Sequence, residues 1–358
     1  MVKIWFDVMT TKESWLFGTM SKKLLKENHE VLITTRDYDQ NKEILDLLKC
    51  DHNVIGKHGG EKLKDKLVES LKRSLELTNF IANQDPLPDF CVCLASPEAL
   101  RVAFGLGIKG ICVNDTPHAV KVGKLTAPLS DYLITPSCID ENQFIEFGIN
   151  KSKIIKYNGV DEFTWLKDFK PNIKVLEKLG IDLNKKFIIL RIIESKSAYY
   201  LNLSKEKSFI NISDELINNI IQEFPDLQVI LLSRYDDQKK YFKDKYKDKI
   251  ILPIKGINGP NISYFADIVI SGGGTMNREA AILGTPAICY FPLDLEVNEF
   301  IIKEGFPLWH IKDVKGIIEM IKKILSSKKL DKNDIAEKVK KYEDVYDAFI
   351  KILNNIRS

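Results

Sequence analysis

The stretch DIVISGGGTMNREAAILGTPAICYFP (267–292) decides the fold of this chain. Residues 267–271 form a continuous apolar run, which is typical of a strand buried on both faces, and three glycines follow it. A helical pattern then reaches Leu283, where Gly284 and Pro286 supply the usual stop signals. Strand, glycine loop and helix in this order predict a parallel α/β sheet that can bind a phosphate group at the helix N-terminus.

Glu279 stands about five residues into this helix. At about 1.5 Å per residue, its carboxylate lies roughly 7 Å from the free N-terminal amides. That distance suits a ribose whose diphosphate rests on the glycines, since glycine lets the backbone approach a ligand closely. The predicted nucleotide-binding residues of this stretch are Ser271, Gly272, Gly273, Gly274, Thr275 and Glu279. The alternative is a glycine turn that serves only strand–helix packing, with Glu279 solvated.

Short apolar runs alternate with amphipathic segments on both sides of this stretch, which favours parallel sheets covered by helices. The runs of the first half are KIWFDV (3–8), EVLITT (30–35), NVIG (53–56), FCVCLA (90–95), GICVN (110–114), YLIT (132–135) and KIIKY (153–157). Those of the second half are FIILRII (187–193), QVILLS (228–233), IILPI (250–254), DIVIS (267–271) and AICYF (287–291). Residues 158–186 lack a convincing strand and predict a linker, 195–212 predict an irregular loop, and 331–356 predict one charged helix. The pattern predicts two Rossmann-like, doubly wound α/β domains facing a cleft, with boundaries at 1–160 and 161–330.

The composition excludes several classes of protein. The 358 residues include 53 basic and 50 acidic side chains, a net charge of +3, which gives no support for nucleic-acid binding. No apolar run reaches the roughly 18–20 residues of a membrane span, and the N-terminus lacks the pattern of a signal peptide. The six cysteines lie mostly in apolar runs and are expected to be core thiols of a cytoplasmic protein. Lysine-rich helices leave peripheral contact with the inner membrane face open, although interspersed acidic residues weaken it.

SGGGTMNREAAILGTP (271–286) resembles the nucleotide-sugar loop of glycosyltransferase-B proteins, which include UDP-N-acetylglucosamine 2-epimerases. Residues 4–37 and GKHGG (56–60) resemble a largely archaeal family of that superfamily, and the resemblance covers essentially the whole chain. It implies a glycosyltransferase-B fold in which Gly273 and Gly274 contact the diphosphate and Glu279 the ribose. It also implies that the C-terminal helix, 331–358, packs back on the N-terminal domain. The spacing from Gly273 to Glu279 matches the transferases more closely than the epimerases.

The same resemblance assigns further positions around the nucleotide sugar. Glu296 and Asn298 follow the next strand and are expected to bind sugar hydroxyls; otherwise they are ordinary polar residues of a helix start. By position alone, Arg191 near the end of its strand and Arg234 after the next strand are expected to contact nucleotide or phosphate, while residues 256–261 are expected near the base. The epimerases carry a histidine near the position of Arg191. Its absence here counts against epimerisation by their mechanism.

Candidate catalytic residues follow strands of the first domain. Asp7 or Glu13 is expected as general base, with Lys12 neutralising a phosphate; the alternative is a capped, solvated first helical turn. His118 is expected as an acid/base group, because its unperturbed pKa is near ~6.5, and Asp115 would orient it or serve itself. The alternative for this segment is helix capping by Asp115 or Thr116 ahead of Pro117.

Two other segments of the first domain follow strands and are candidate binding sites. Lys57, His58, Gly59 and Gly60 precede a long predicted helix and are expected to bind a second anion, unless they form only a surface loop. Ser96 and Glu98 also follow a strand, but the sequence Ser-Pro-Glu is typical of an ordinary helix start.

The leading functional prediction is a metal-independent glycosyltransferase of the cytoplasm that needs no cofactor. It would transfer a sugar from a UDP-N-acetylglucosamine-like donor to a hydroxyl of a glycan or lipid-linked acceptor, with the loop amides stabilising the leaving diphosphate. The first alternative is a nucleotide-sugar 2-epimerase that works through elimination of UDP. The second is a non-catalytic nucleotide-sugar-binding protein, because fold alone does not determine function. No nucleic-acid partner is expected, and the sequence does not predict the oligomeric state.

Overall fold

The protein is described by a computed structural model that covers residues 1–60, 62–177, 179–193, 206–233, 236–253 and 257–357. The chain divides into two compact units. Unit 1 comprises Met1–Trp165 and Tyr342–Ser358, and unit 2 comprises Leu166–Lys341. The chain therefore leaves unit 1 five residues beyond the predicted boundary and returns to it at its end.

Unit 1 is built on a parallel sheet whose seven described strands have the order β3-β2-β1-β4-β5-β6-β7. These strands are β1 (Lys3–Val8), β2 (Glu30–Asp37), β3 (Asn53–Lys57), β4 (Phe90–Leu94), β5 (Lys109–Val113), β6 (Tyr132–Pro136) and β7 (Ile154–Tyr157). The helices are α1 (Thr11–Lys26), α2 (Asn41–Leu47), α3 (Leu63–Ala82), α4 (Pro97–Gly105), α5 (Val120–Thr126), α6 (Asn142–Ile145) and α7 (Phe163–Leu166), the last at the crossing into unit 2. The strand order reverses between β1 and β4, and ligands of such sheets bind beyond the carboxyl ends of the strands at this point.

The strands of this sheet are continuously apolar in sequence because both faces of the sheet are covered, as the central strand β1 shows. Trp5 pairs with Leu32 on one side and Cys91 on the other, and Ile4, Trp5 and Phe6 are completely buried. Trp5, Cys91 and Cys93 pack with Leu77 of α3 in one core cluster. All six cysteines are free thiols, and all but Cys138 are buried, as predicted for core thiols.

Unit 2 contains a second parallel sheet whose five described strands have the order β12-β11-β10-β8-β9. They are β8 (Phe187–Arg191), β9 (Gln228–Leu232), β10 (Ile268–Ser271), β11 (Ala287–Cys289) and β12 (Leu308–His310). The helices are α8 (Lys174–Glu177), α9 (Glu206–Glu223), α10 (Asp236–Tyr246), α11 (Gly259–Phe265), α12 (Gly274–Ile282), α13 (Glu296–Lys303), α14 (Val314–Ser326) and α15 (Lys332–Val339). Two parallel sheets with alternating helices confirm the predicted α/β fold class.

Several predicted elements differ from the structure. The run 250–254 is not a strand of the sheet, since only Ile251 bridges to Ile230 among its described residues. Residues 206–212 belong to α9 and not to an irregular loop, while 195–205 lie outside the described residues. The short strand β12 was not predicted.

The predicted single helix at the C-terminus is two helices, α15 and α16 (Val345–Arg357). The break has a local cause, because the Asp344 side chain accepts a hydrogen bond from the Asp347 amide at 3.0 Å and so caps the start of a new helix. Helix α16 packs on β6 and β7 of unit 1, where Phe349 is completely buried. The Tyr346 hydroxyl also donates to Glu27 at 2.5 Å.

None of the helices in the described ranges is both long and apolar enough to cross a bilayer.

Candidate functional site

The glycine loop of unit 2 joins β10 to α12. Gly273 occupies the N-cap position with extended φ and ψ of −131° and 163°, and α12 begins at Gly274. Since Gly273 has no side chain, it cannot bond the first-turn amides in the way that Ser, Thr, Asp or Asn would. The helix therefore begins without a cap from its N-cap side chain, which is the arrangement that receives an anion.

The three glycines of this loop have different roles. A Cβ at Gly272 would lie 1.9 Å from Ile193 Cγ1, so this glycine is required by packing against the end of β8. A Cβ at Gly274 would lie 2.5 Å from the Arg278 guanidinium. A Cβ at Gly273 would meet no atom closer than Ser271 Oγ at 3.9 Å. Packing therefore explains Gly272, and the Arg278 side chain would have to move for a Cβ at Gly274, whereas Gly273 has room for a side chain.

Two side chains of α12 that were not predicted as site residues lie against the glycine loop. The Asn277 amide donates to the carbonyls of Ser271 and Gly273 at 2.9 and 2.6 Å. Asn277 is fully buried, and its Oδ1 has no hydrogen-bond partner in the part of the chain that the structure describes. Arg278 is also buried and donates to Asn298 Oδ1 at 3.0 Å. Their positions, one turn after the loop, were the signal that could have identified them.

Glu279 is buried at 5% exposure, which excludes the solvated carboxylate that was its alternative interpretation. A Cβ on Gly259, the first residue of α11, would lie 3.6 Å from Glu279 Oε2. The carboxylate thus faces the start of α11, where residues 257–261 belong to the segment expected near the base. Gly256 of that segment lies outside the described residues.

The predicted sugar-binding pair is placed unequally. Asn298 is 1% exposed; its Oδ1 accepts from Arg278 and its Nδ2 donates to Cys289 Sγ at 3.5 Å. Both ends of the amide are thus engaged inside the unit, and sugar binding by Asn298 stays a prediction. Glu296 is half-buried at the first position of α13.

The two predicted nucleotide-binding arginines can be followed only in part. Arg191 is the last residue of β8, and its carbonyl accepts from the Tyr290 hydroxyl at 3.0 Å. Ile192 and Ile193 come next and are buried. Arg234 lies outside the described residues.

Asp7 of unit 1 is a buried structural anion. It pairs with the equally buried Arg73, whose Nη2 and Nη1 lie 2.5 and 3.1 Å from its two oxygens. The hydroxyls of Thr34 and Ser96 donate to it at 2.7 and 2.8 Å. The four donors occupy both oxygens of Asp7, so the structure gives this carboxylate a role in packing, and its role as general base stays a prediction. Ser96 also caps α4 by accepting from Ala99 N, as its alternative interpretation expected.

Glu13 is buried at 2% exposure in the first turn of α1. The amide of Met9 and the hydroxyl of Thr10 donate to its two oxygens at 2.7 and 2.9 Å. Burial is the largest influence on the carboxyl group and raises its pKa to about 8, against the lowering effect of these hydrogen bonds. Glu13 is therefore a group that can hold a proton at neutral pH, and its burial contradicts the alternative interpretation of a solvated first turn.

Lys12 brings together two carboxylates that the sequence separates widely. Its Nζ lies 2.6 Å from Asp115 Oδ2 and 2.7 Å from Asp161 Oδ2, and Asp161 is completely buried. Burial raises the pKa of Asp161 to about 6, although Lys12 opposes the shift. The Tyr157 hydroxyl donates to the other oxygen of Asp161. We call Lys12, Asp115 and Asp161 the lysine–aspartate cluster.

The hydrogen bonds of the segment after β5 exclude its alternative interpretation as a helix cap. Thr116 donates its hydroxyl to Asp115 Oδ1 at 2.8 Å, and α5 begins only at Val120, so neither residue caps a helix that starts at Pro117. His118 is exposed, in contrast to the buried Asp115. Asp161 was missed because its segment was assigned to a linker, although it follows β7 just as Asp115 follows β5.

The predicted second anion site, residues 57–60, has a packing explanation. A Cβ at Gly59 would lie 2.5 Å from the Asp65 carbonyl oxygen and from Lys66 Cα, so Gly59 lets the loop approach the first turn of α3. His58 stacks on Tyr38 with 4.1 Å between ring centroids, and its Nδ1 accepts from the Gly60 amide at 3.1 Å. Lys57 is exposed.

Comparison with known proteins agrees with this architecture. A family model described as "Protein of unknown function (DUF354)" matches residues 2–357. The uncharacterized protein MJ0665 of Methanocaldococcus jannaschii is 33% identical over 324 residues, which cover 89% of this chain and 90% of that protein. The UDP-N-acetylglucosamine 2-epimerase of Methanococcus maripaludis is 23% identical over 349 residues, which cover 91% and 93% of the two chains.

Solved structures of two kinds of enzyme share the fold. The UDP-GlcNAc 2-epimerase of M. jannaschii, in complex with UDP-GlcNAc and UDP, matches with a TM-score of 0.73 and 18% identity over 99% of both chains. The spinosyn forosaminyltransferase SpnP matches with a TM-score of 0.60 and 13% identity over 100% of both chains. These likenesses show that the chain has the fold of these enzymes, which is the predicted glycosyltransferase-B type of two parallel sheets.

Proposed function

This chain belongs to the DUF354 family, and we propose that it is an enzyme acting on a UDP-linked sugar that the glycine loop of unit 2 binds. The observation that carries the proposal is the geometry of residues 271–279. An N-terminus without a capping side chain, a glycine that faces open space and a buried carboxylate lie within two turns of one helix. The structural neighbour from M. jannaschii was solved with UDP-GlcNAc and UDP, which supports the choice of nucleotide.

The proposed donor pose follows from the charges of the loop. The diphosphate accepts hydrogen bonds from the first amides of α12, where the helix dipole favours negative charge. Glu279 accepts hydrogen bonds from the ribose hydroxyls, and residues at the start of α11 contact the base. Arg278, buried beside Gly274 and oriented by Asn298, adds a fixed positive charge below the diphosphate.

The proposed reaction is transfer of the sugar to a hydroxyl acceptor. A base takes the acceptor proton, the acceptor oxygen bonds to the anomeric carbon, and the bond from that carbon to the diphosphate breaks. The loop amides stabilise the charge that develops on the departing UDP. We propose the lysine–aspartate cluster as the group that takes the proton, because Asp161 has a pKa raised to about 6 and Lys12 can compensate its charge.

A second candidate is 2-epimerisation of the same sugar. The observation that favours it is the likeness to two epimerases, one of which is 23% identical over 91% of this chain. The sequence at the end of β8 speaks against the mechanism of those enzymes, because Arg191, Ile192 and Ile193 stand where a histidine is expected. Both reactions need the same donor site, so donor binding and turnover are tested separately.

Donor binding is tested by calorimetry with UDP and UDP-N-acetylglucosamine. Gly273→Val is expected to weaken binding tenfold or more, because its side chain occupies the proposed diphosphate site while its extended backbone suits valine. Glu279→Ala is expected to weaken binding by roughly 10- to 100-fold, the loss of a charge-assisted hydrogen bond of about 1.5–3 kcal/mol. Glu319→Ala, at an exposed position of α14, serves as the control. Absence of binding to the wild type, or unchanged binding by both loop variants, contradicts the donor site.

Turnover is followed with UDP-N-acetylglucosamine, with and without glycan and lipid-linked acceptors. A transferase releases UDP only when an acceptor is present and forms a glycosylated product, whereas an epimerase forms the manno epimer without any acceptor. Lys12→Met and Asp161→Asn are expected to lower turnover at least 100-fold with little effect on UDP binding. Normal turnover by both variants contradicts the role of the cluster, and binding without turnover on any acceptor supports a non-catalytic nucleotide-sugar-binding protein.

A further inference from the structure

Unit 2 contains a large cavity at the edge of its sheet opposite the glycine loop. Its volume is about 680 Å³. Four of its lining residues directly precede strands: Lys186 before β8, Asp267 before β10, Pro286 before β11 and Pro307 before β12. The cavity therefore lies at the amino ends of the strands, whereas the glycine loop follows the carboxyl end of β10.

The walls of this cavity are mainly apolar. They are formed by side chains of α11, α13, α14, α15 and the loops between them, among them Phe265, Ile302, Phe306, Met320, Ile324 and Leu330. Ile302 and Leu330 are 38% and 48% exposed, so apolar surface of the cavity is open to solvent. The volume of this cavity and its mainly apolar lining are typical of small-molecule binding sites.

A second cavity adjoins the first. Its volume is about 300 Å³, and it shares Lys186, Phe265, Asp267 and Lys329 with the larger one. Its lining is polar as well as apolar, so the larger cavity supplies most of the apolar surface that a hydrocarbon chain could contact.

The charges around this space have one dominant sign. Five lysines line the larger cavity, and Asp267 is the acidic residue among its described lining residues; the lysines are Lys186, Lys323, Lys328, Lys329 and Lys332. Lys329 pairs with Asp267 at 2.9 Å, which leaves an excess of positive charge. Burial lowers the pKa of Lys332 to about 8, and its Nζ donates to Thr285 Oγ1 at 2.8 Å. A ligand with a negative group is therefore favoured.

We propose that this lysine-rimmed cavity binds a long-chain amphiphile with an anionic head group, with the chain along the apolar walls and the head near the lysines. A nucleotide fits this space less well, because its base and ribose carry many polar groups whereas most of the lining surface is apolar. The ligand can come from two sources with this chemistry: a free fatty acid, or an anionic lipid of a bilayer surface.

The test measures displacement of a fluorescent fatty-acid probe from the full chain by octanoate, dodecanoate and hexadecanoate. Affinity is expected to rise with chain length, by up to about fourfold for each methylene group that becomes buried. Hexadecanol, which lacks the charge, is expected to bind at least tenfold more weakly than hexadecanoate.

Variants locate the binding in the cavity. Ile302→Glu places a carboxylate on the apolar wall, and Lys323→Glu with Lys328→Glu reverses two charges of the rim. All three positions are exposed or half-exposed, so the fold is expected to tolerate the changes. Each variant is expected to lose hexadecanoate binding at least tenfold and to keep UDP binding. Lys315→Glu, an exposed residue of α14 that does not line the cavity, is the matched control.

Sedimentation with vesicles separates the two sources. Co-sedimentation with phosphatidylglycerol but not phosphatidylcholine vesicles, lost in Ile302→Glu, supports a bilayer lipid, whereas binding of free hexadecanoate alone supports a free fatty acid. The proposal is overturned if hexadecanoate binding is absent or independent of chain length and neither vesicle type binds. It is also overturned if the Ile302 and lysine variants bind as tightly as the wild type.

Discussion

Glu13 is the residue whose protonation the fold controls most clearly. Its pKa is raised from the ordinary 4.5 to about 8, chiefly by burial. Between these two values the folded protein holds a proton that the unfolded chain releases. The free energy of unfolding therefore falls as pH rises from about 4.5 to 8 and levels off above that range.

Glu13→Gln is expected to remove this pH dependence. At pH 8.5 the variant should be more stable than the wild type, because it avoids the buried negative charge, while at pH 5 the two should differ little. Urea unfolding at both pH values measures the difference, and Glu30→Gln at an exposed position of β2 is the control. Equal stability differences at the two pH values would show that Glu13 does not titrate in the folded protein as described.

The residues around β1 show what the sequence can and cannot predict about a site. Position at the end of a strand or just after it placed Asp7, Lys12, Glu13 and Asp115 at one edge of the sheet. It could not separate their roles, because Asp7 pairs with Arg73 and Lys12 pairs with Asp161, and both partners lie far away in the chain. The glycine loop was predictable because its strand, turn and helix are contiguous in sequence.

At the scale of elements, the approach of the loop after β3 to α3 depends on Gly59. A Cβ there would meet backbone atoms of α3, which cannot move as a flexible side chain can. Gly60 and Gly107 have φ of +73° and +74°, and a Cβ at either would meet nothing within 4 Å. These three glycines separate the effect of a clash from that of backbone conformation.

Gly59→Ala is therefore expected to destabilise the protein more than Gly60→Ala or Gly107→Ala. The latter two should each cost about 1–2 kcal/mol for a left-handed conformation, whereas the Gly59 clash should cost about 3 kcal/mol or more. Urea unfolding of the three variants gives the ranking. If Gly59→Ala is the mildest of them, residues 57–60 do not need that glycine for packing, and anion binding regains weight as its reason.

The elements themselves were largely predictable, with failures that have physical causes. Buried parallel strands such as β1, β4 and β10 are continuously apolar, which a sequence shows directly. The run 250–254 is apolar too, yet it contributes a single bridge, because pairing depends on a neighbouring strand and not on composition. The tail was predicted as one helix because its amphipathic period continues across Asp344, where a cap begins a new helix.

At the scale of the whole molecule, unit 1 is completed by α16, which covers β6 and β7 of its sheet. Phe349 of α16 is completely buried in the unit that begins at Met1. Phe349→Ala is expected to destabilise unit 1 by about 3–5 kcal/mol. Hydrogen exchange should then accelerate at the amides of β6 and β7, where α16 packs, and remain unchanged at β10 of unit 2. Equal acceleration in both sheets would indicate that the two units unfold together.

The return of the chain to unit 1 also has a consequence for biosynthesis. Residues 166–341 must be translated between the two parts of unit 1. At roughly 5–20 residues per second, that interval lasts about 10–35 s. During this time β6 and β7 leave the ribosome without the helix that covers them, so a nascent chain exposes apolar surface until α16 is made. Ribosome stalling between the codons of residues 166 and 341 should therefore promote aggregation of the nascent chain.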